Sequence, residues 1–305
     1  MDHDADLHRL HREAIQAAKA YMGEPAWGTV AFTLLILAAI LGTLGSFAMG
    51  WINVWLALPV YALLTYMSYT PLHEAAHGNI HGDRDGLRWL NAACGMAMAP
   101  WIMVPYASHK LEHFTHHRHT NQPGKDPDFI VQGMGGGPWS FLKTILQFLW
   151  VQNSFFPRHH WGSASTLDRT IYALELTISL GWRVAFVAGV SQPGSVALIV
   201  IGYLIGATFT AYWFAYRPHL PYKTAARYQN TNSMLVPTWL KPLEWLWLGQ
   251  NLHSIHHLFP RVPFYRYHAL HRDIEPTMRA HGTPMIGIFS RQPIPAATDT
   301  PATQP

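Results

Sequence analysis

The chain has 305 residues, 49% hydrophobic and only 12% charged, against about 25% charged in an average soluble domain. A single cysteine, Cys94, excludes a disulfide framework, a cysteine zinc site and an iron–sulfur cluster within the chain. The net charge of +4 does not point to nucleic acid, because Lys and Arg sit in loops beside apolar segments, where anionic lipid headgroups attract them.

In chain order, 5–21 reads as a surface helix with Leu7, Leu10, Ile15 and Ala18 on one side, suited to an interface. Acidic Asp2, Asp4 and Asp6, and a first apolar run too long for an h-region, argue against a signal peptide. Segments 26–48 and 51–70 carry no charge, and each meets the roughly 20 residues needed to cross a bilayer. Segment 89–106 is also apolar, but its place between two histidine clusters suggests a buried or re-entrant stretch. Segment 170–190 is interrupted by Glu175 and Arg183, and still reads as a span, since intramembrane charges face the bundle interior. Segment 195–216 is another clean span, and the Pro- and Thr-rich tail 292–305 is expected to be disordered. The expected fold is all-α: a cytoplasmic or interfacial helix in 1–25, then one membrane domain in 26–291. That domain has four transmembrane helices and a cytoplasmic helical cap holding a two-metal site.

The turns around 49–50 and 191–194 lack Lys and Arg, whereas the N-terminal segment, 71–169 and the region from Arg217 are rich in them. By the positive-inside rule those three regions, both termini included, are cytoplasmic. Every histidine cluster then falls on one side.

Ten of the 20 histidines fall into three clusters and one outlier. They are His73, His77 and His81; His113, His116 and His117; His253, His256 and His257; and His219. Residues i, i+3 and i+4 of a helix share one face, so each HxxHH box turns its imidazoles one way. Neutral imidazole is a ligand for zinc, copper, iron and nickel. So many ligands exceed what one tetrahedral ion accepts, and the arithmetic points to two metals. The sequence His73-Glu74-Ala75-Ala76-His77 also matches H-E-x-x-H, in which Glu74 would be the base of a zinc protease. That reading needs one further ligand and leaves both HxxHH boxes unexplained. A metal transporter would carry histidines inside its spans, yet 26–48 and 195–215 contain none. The other histidines fit ordinary core or surface roles, with His109 and His119 flanking a box.

With these boxes the chain resembles the membrane fatty-acid desaturase/hydroxylase superfamily, the non-haem di-iron enzymes with three histidine boxes. HEAAH is similar to its first box, HFTHH to its second and HSIHH to its third. His219, just after the last span, fits the extra histidine that family members carry before the third box. Within the superfamily the chain most resembles the desaturase-like type of β-carotene hydroxylase. Three stretches carry that likeness: HEAAHGNIH with His81 at i+8, HHRHTNQPGKDPDF, and GQNLHSIHHLFPRVPFYRY. The resemblance implies two iron ions held by His73, His77, His113, His116, His117, His219, His253, His256 and His257. His81, Asn251, Asp126 and Asp128 become candidate further ligands or groups that orient ligands, with Glu74 and Glu112 also available for orientation. For Asp126 and Asp128, capping of the loop beside Pro127 is an equal alternative. It also implies O2-dependent attack on an unactivated C–H bond, ending in an alcohol or an alkene. No cytochrome b5-like segment accompanies the boxes, so electrons are expected from a separate protein such as ferredoxin. The substrate is expected to be lipophilic: a carotenoid hydroxylated on its ring or, alternatively, an acyl lipid desaturated or hydroxylated. Tyr106, Trp213 and Tyr216 are candidates to line its path, against the alternative of an ordinary interfacial aromatic belt. The implied location is a bacterial inner membrane.

Overall fold

A computed structural model describes residues 3–292 and 294. Helix α1 (His3–Lys19) opens with acidic Asp4 and Asp6 and closes with Lys19, the charge order that favours a helix dipole. Helices α2 (Trp27–Ala48) and α3 (Val54–Ala76) follow, with the Asn53 side chain accepting the Leu56 N–H at the start of α3. Then come α4 (Arg88–Ile102), α5 (Tyr106–His119), α6 (Pro138–His159), α7 (Thr166–Gly189) and α8 (Ser195–Thr210). Helix α8 runs on through a π-helical turn, Ala211–Tyr216, and a short 3-10 turn, Arg217–His219.

Three described helical stretches are long and apolar enough to cross a membrane: Trp27–Ala48, Thr166–Gly189 and Ser195–His219. Their outward faces carry exposed Leu34, Leu35, Val184 and Val196, a surface suited to lipid. Helix α3, expected as a fourth span, has the length but is more polar, with Thr65, Ser68, Thr70, His73 and Glu74 buried along it. It packs intimately on α8. A Cβ on Gly202 would lie 2.8 Å from Tyr61, and one on Gly206 would lie 2.6 Å from Thr65. The two glycines are four residues apart and let the backbones close in. Because Tyr61 meets Gly202 and Thr65 meets Gly206, α3 and α8 run parallel.

The charges that interrupt α7 have partners in the α4–α5 turn. Glu175 accepts the backbone N–H groups of Tyr106 (3.2 Å) and Ala107 (3.1 Å), at the start of α5. Arg183 donates to the carbonyls of Pro100 (2.7 Å) and Trp101 (2.9 Å), at the end of α4. Each charge meets the helix end of opposite sign and satisfies backbone groups that a helix end leaves unpaired. The chain therefore turns back at Met103, Val104 and Pro105, and α4 and α5 form a clamped hairpin.

Beyond His219 the chain builds a cap. Asn232 donates to the carbonyls of Arg217 (2.8 Å) and Leu220 (3.0 Å), and buried Arg217 donates to Ile288 (2.7 Å). Strand β1 (Ser233–Leu235) pairs in parallel with β2 (Met285–Gly287), with Ser233 opposite Met285. This short ladder sits within a fold that is otherwise all-helical, as expected. Its three-residue strands are too short to show the alternation that marks a strand in sequence. Helices α9 (His253–Leu258) and α10 (Tyr267–Ala280) complete the cap. Ala14 and Ala18 of α1 are buried in a core with Leu270, Ile274 and Met278 of α10. The N-terminal helix thus lies on the protein through its alanines. Of the tail expected to be disordered, only Gln292 and Ile294 fall among the described residues.

Candidate metal centre

Four elements converge on one cluster of buried and half-buried imidazoles. The last turn of α3 supplies His73 and, at its end, His77; α5 supplies His113, His116 and His117 from one face. Helix α9 supplies His253, His256 and His257, and the end of the α8 extension supplies His219. Among the described residues, ring nitrogens within 4.8 Å of one another form three groups. The first is His73, His77, His113 and His256; the second is His116, His219 and His257. His117, His256 and His257 form the third and bridge the other two. His253 stands beside the second group, its ring 5.3 Å from His219 and 4.8 Å from His257.

The distances suit a metal better than hydrogen bonds. His113 Nε2 lies 2.8 Å from His77 Nε2 and 3.1 Å from His117 Nε2, which lies 2.8 Å from His256 Nε2. A neutral imidazole carries one N–H, so the three contacts can all be hydrogen bonds only if one N–H is shared between two acceptors. Two nitrogens about 2.1 Å from one ion and at a right angle are about 3.0 Å apart. Both ring nitrogens of His73 and of His219 are buried with no hydrogen-bond partner among the described residues. Such burial is costly unless something else takes the lone pair. The donor set is all nitrogen, and it fits two divalent transition metals.

The opposite edges of several rings are held. His116 Nδ1 is 2.8 Å from Asp126 Oδ1, His253 Nδ1 is 2.6 Å from Gln250 Oε1, and His256 Nδ1 is 3.1 Å from the Tyr267 hydroxyl. Fixing Nδ1 in this way leaves Nε2 for a metal. Asp126 also accepts the N–H groups of Asn121 (2.8 Å) and Asp128 (2.9 Å), so one carboxylate both caps the loop and holds the His116 ring. Asn121 has a φ of 61°, a left-handed conformation that Asn tolerates. Its side chain bonds the carbonyls of Thr224 (3.0 Å) and Asn230 (2.7 Å), tying the second box to the cap. Gly249, with a φ of 77°, passes so close to the Phe264 carbonyl that a Cβ would lie 2.7 Å from it. That explains the glycine before Gln250.

Burial, followed by repulsion from neighbouring imidazoles, lowers His77 to about 3 and holds His113, His117, His253, His256 and His257 well below the usual histidine value. These rings are neutral at pH 7, the form that donates a lone pair. His116 differs. Burial opposes its charge, but Asp126 and Asp128 outweigh burial and raise it. Burial also pushes Glu112 up to about 7 and, aided by the Glu112 charge, raises Asp128.

Asp128 lies 3.9 Å from His116 Nδ1 and accepts Gln152 Nε2 at 3.2 Å. His109 is buried, its ring 5.1 Å from His113 and its Nδ1 3.7 Å from Glu112. His81 lies outside the three nitrogen groups, in a polar cleft of about 310 Å³ that also reaches His77, Asp83 and Arg88. Asn251 turns away, donating to Glu244 at 3.0 Å. Glu74 accepts Asn79 (3.0 Å) and Thr29 (3.4 Å), so it serves the packing of α3 on α2 rather than the rings. Tyr106 and Tyr216 are engaged in packing, with the Tyr106 hydroxyl on the Ala75 carbonyl at 3.0 Å. Gln250 and Tyr267 were not singled out from sequence as ring partners, although both lie inside the quoted third-box stretch.

A sequence profile described as fatty acid desaturase matches residues 49–289. The chain is 25% identical to an sn-1 oleoyl-lipid 12-desaturase of Synechocystis sp., over 78% of this chain and 75% of that protein. It is 30% identical to a β-carotene ketolase of Paracoccus sp., over 69% of this chain and 77% of that one. It is 23% identical to an sn-2 acyl-lipid omega-3 desaturase (ferredoxin) of Helianthus annuus, over 88% of this chain and 64% of that one. With its membrane-length apolar helices and clustered histidines, the chain belongs to the fatty acid desaturase family of oxidoreductases.

Proposed function

We propose that this protein is an O2-dependent membrane di-iron oxygenase that hydroxylates the ring of a carotenoid such as β-carotene. The observation that carries the reading is the pair of nitrogen groups bridged by His117, His256 and His257. His73, His77, His113 and His256 would hold one iron, and His116, His219, His253 and His257 the other, with His117 between them. Iron bound there would supply the one-electron chemistry with O2 that an unactivated C–H bond requires. The chain's own residues do the rest. Burial keeps the imidazoles neutral, while Asp126, Gln250 and Tyr267 fix the rings. Electrons come from a separate protein such as ferredoxin.

Carotenoid chemistry is supported by the β-carotene ketolase relative and by the stretches around His81, 121–129 and 249–267. Acyl-lipid desaturation or hydroxylation is the second reading, favoured by relatives that are acyl-lipid desaturases. We read α2, α3, α7 and α8 as four crossings of a bacterial inner membrane, with both termini and the histidines cytoplasmic. Support comes from the parallel packing of α3 on α8 and from the basic residues flanking the spans.

The test is expression, with ferredoxin and its reductase, in a bacterium that accumulates β-carotene, followed by analysis of pigments and fatty acids from the same cells. Hydroxylated carotenoids absent from a His117→Ala control are expected. Altered fatty acids with unchanged β-carotene would move the assignment to the second reading. No change in either, with iron-loaded protein present, would contradict both.

A further inference from the structure

Between α3 and the π-helical end of α8 lies a groove of about 430 Å³, within the size range of ligand sites. Its walls include Ala62, Leu63 and Tyr66 of α3, Phe209 and Trp213 of the α8 stretch, and Trp247 of the cap. It is mostly apolar and carries no charged side chain. The Tyr66 hydroxyl is committed to the Leu246 carbonyl at 3.1 Å, and the Trp247 indole N–H has no partner among the described residues. Such a surface suits a hydrocarbon chain and gives a charged headgroup no partner.

One layer of rings, Phe214 and Tyr69, separates the inner end of the groove from the imidazoles. The Tyr66 ring is 5.6 Å from Phe214, which is 4.8 Å from Tyr69 and 6.3 Å from His73; Tyr69 is 5.6 Å from His73. Tyr66 and His73 are two turns apart on α3, about 10 Å at 1.5 Å per residue. The π-helical turn at Ala211–Tyr216 sets Trp213 on the groove and buries Phe214 behind it. Two other apolar grooves, near Leu41 and Trp182 and near Val184 and Tyr203, have no lining residue in ring contact with Phe214 or Tyr69, the rings that border His73.

We propose that the groove between α3 and α8 seats the hydrocarbon chain of the substrate, which enters sideways from the bilayer. The Tyr66–Phe214 wall sets how far the reacting end reaches towards His73. This deepens the oxygenase reading and rests on it.

The test uses iron-loaded protein in lipid nanodiscs. Ala62→Trp and Leu63→Trp fill the groove, and Ala188→Trp fills the groove near Val184 as a control. Whichever chain the wild type converts, β-carotene or an oleoyl lipid, both groove variants should lose at least about tenfold in turnover. Iron content should be unchanged, and the control should match the wild type. In parallel, a diazirine-bearing oleoyl lipid should label 58–66 and 205–213, the substrate should displace that label, and Ala62→Trp should abolish it. Full turnover in both groove variants, or label that substrate does not displace, would mean that the groove holds only bilayer lipid and would overturn the proposal. A wild type that converts neither chain would count against the oxygenase reading, and the label map would still decide the groove.

Discussion

Replacing His117 with alanine is expected to cost more than any change outside the imidazole cluster, because His117 touches both nitrogen groups. Its Nε2 lies 3.1 Å from that of His113 and 2.8 Å from that of His256, and its ring stacks on His257 at 4.2 Å. Removing it opens both groups at once. Loss of a residue that merely orients a ligand typically costs about 10–100-fold in metal affinity or activity, so His117→Ala should exceed that range and lower the iron content. Asp126→Asn should fall within the range, since an amide still bonds His116 Nδ1 but removes the carboxylate charge. His281→Ala should stay close to wild type, because His281 stacks on Tyr228 at 4.0 Å and belongs to the α1–cap contact. Activities of purified variants, read beside their iron content, check the order. His117→Ala performing as well as His281→Ala would contradict the account.

The second large effect concerns sidedness. Reporters fused before Met1 and after Pro305 should both be active on the cytoplasmic side, and one inserted at Gln192 on the far side. The argument uses the helix pairs. His73 at the end of α3 and His219 at the end of the α8 stretch meet in one cluster, and α3 runs parallel to α8. If α8 crosses the bilayer, α3 crosses beside it in the same direction. The α4–α5 hairpin, clamped by Glu175 and Arg183, turns back and adds no net crossing. Three crossings instead of four would place the two termini on opposite sides, and the reporters would show it.

The residues most legible in sequence were those whose geometry is local. The i, i+3, i+4 spacing that turns His113, His116 and His117 to one side of α5 is visible in the bare string. Asp126 stood out as a carboxylate in the Asp-Pro-Asp run after the box, but the turn at Asn121 that folds it back onto His116 did not. Glu175 and Arg183 were visible as anomalies in an apolar run, but their partners, about 70 to 80 residues away, were not. Tyr267 meets His256 only because α10 folds back over α9, and Gln250 had no spacing rule to mark it. The groove was equally hidden. It depends on the parallel packing of α3 and α8 and on a π-helical turn that hydropathy does not register.

The central claim is that the histidines hold two irons. Metal analysis of detergent-purified protein, expressed with iron available, tests it most directly. Two iron atoms per chain are expected, falling in His117→Ala. One zinc per chain and no iron would contradict the claim.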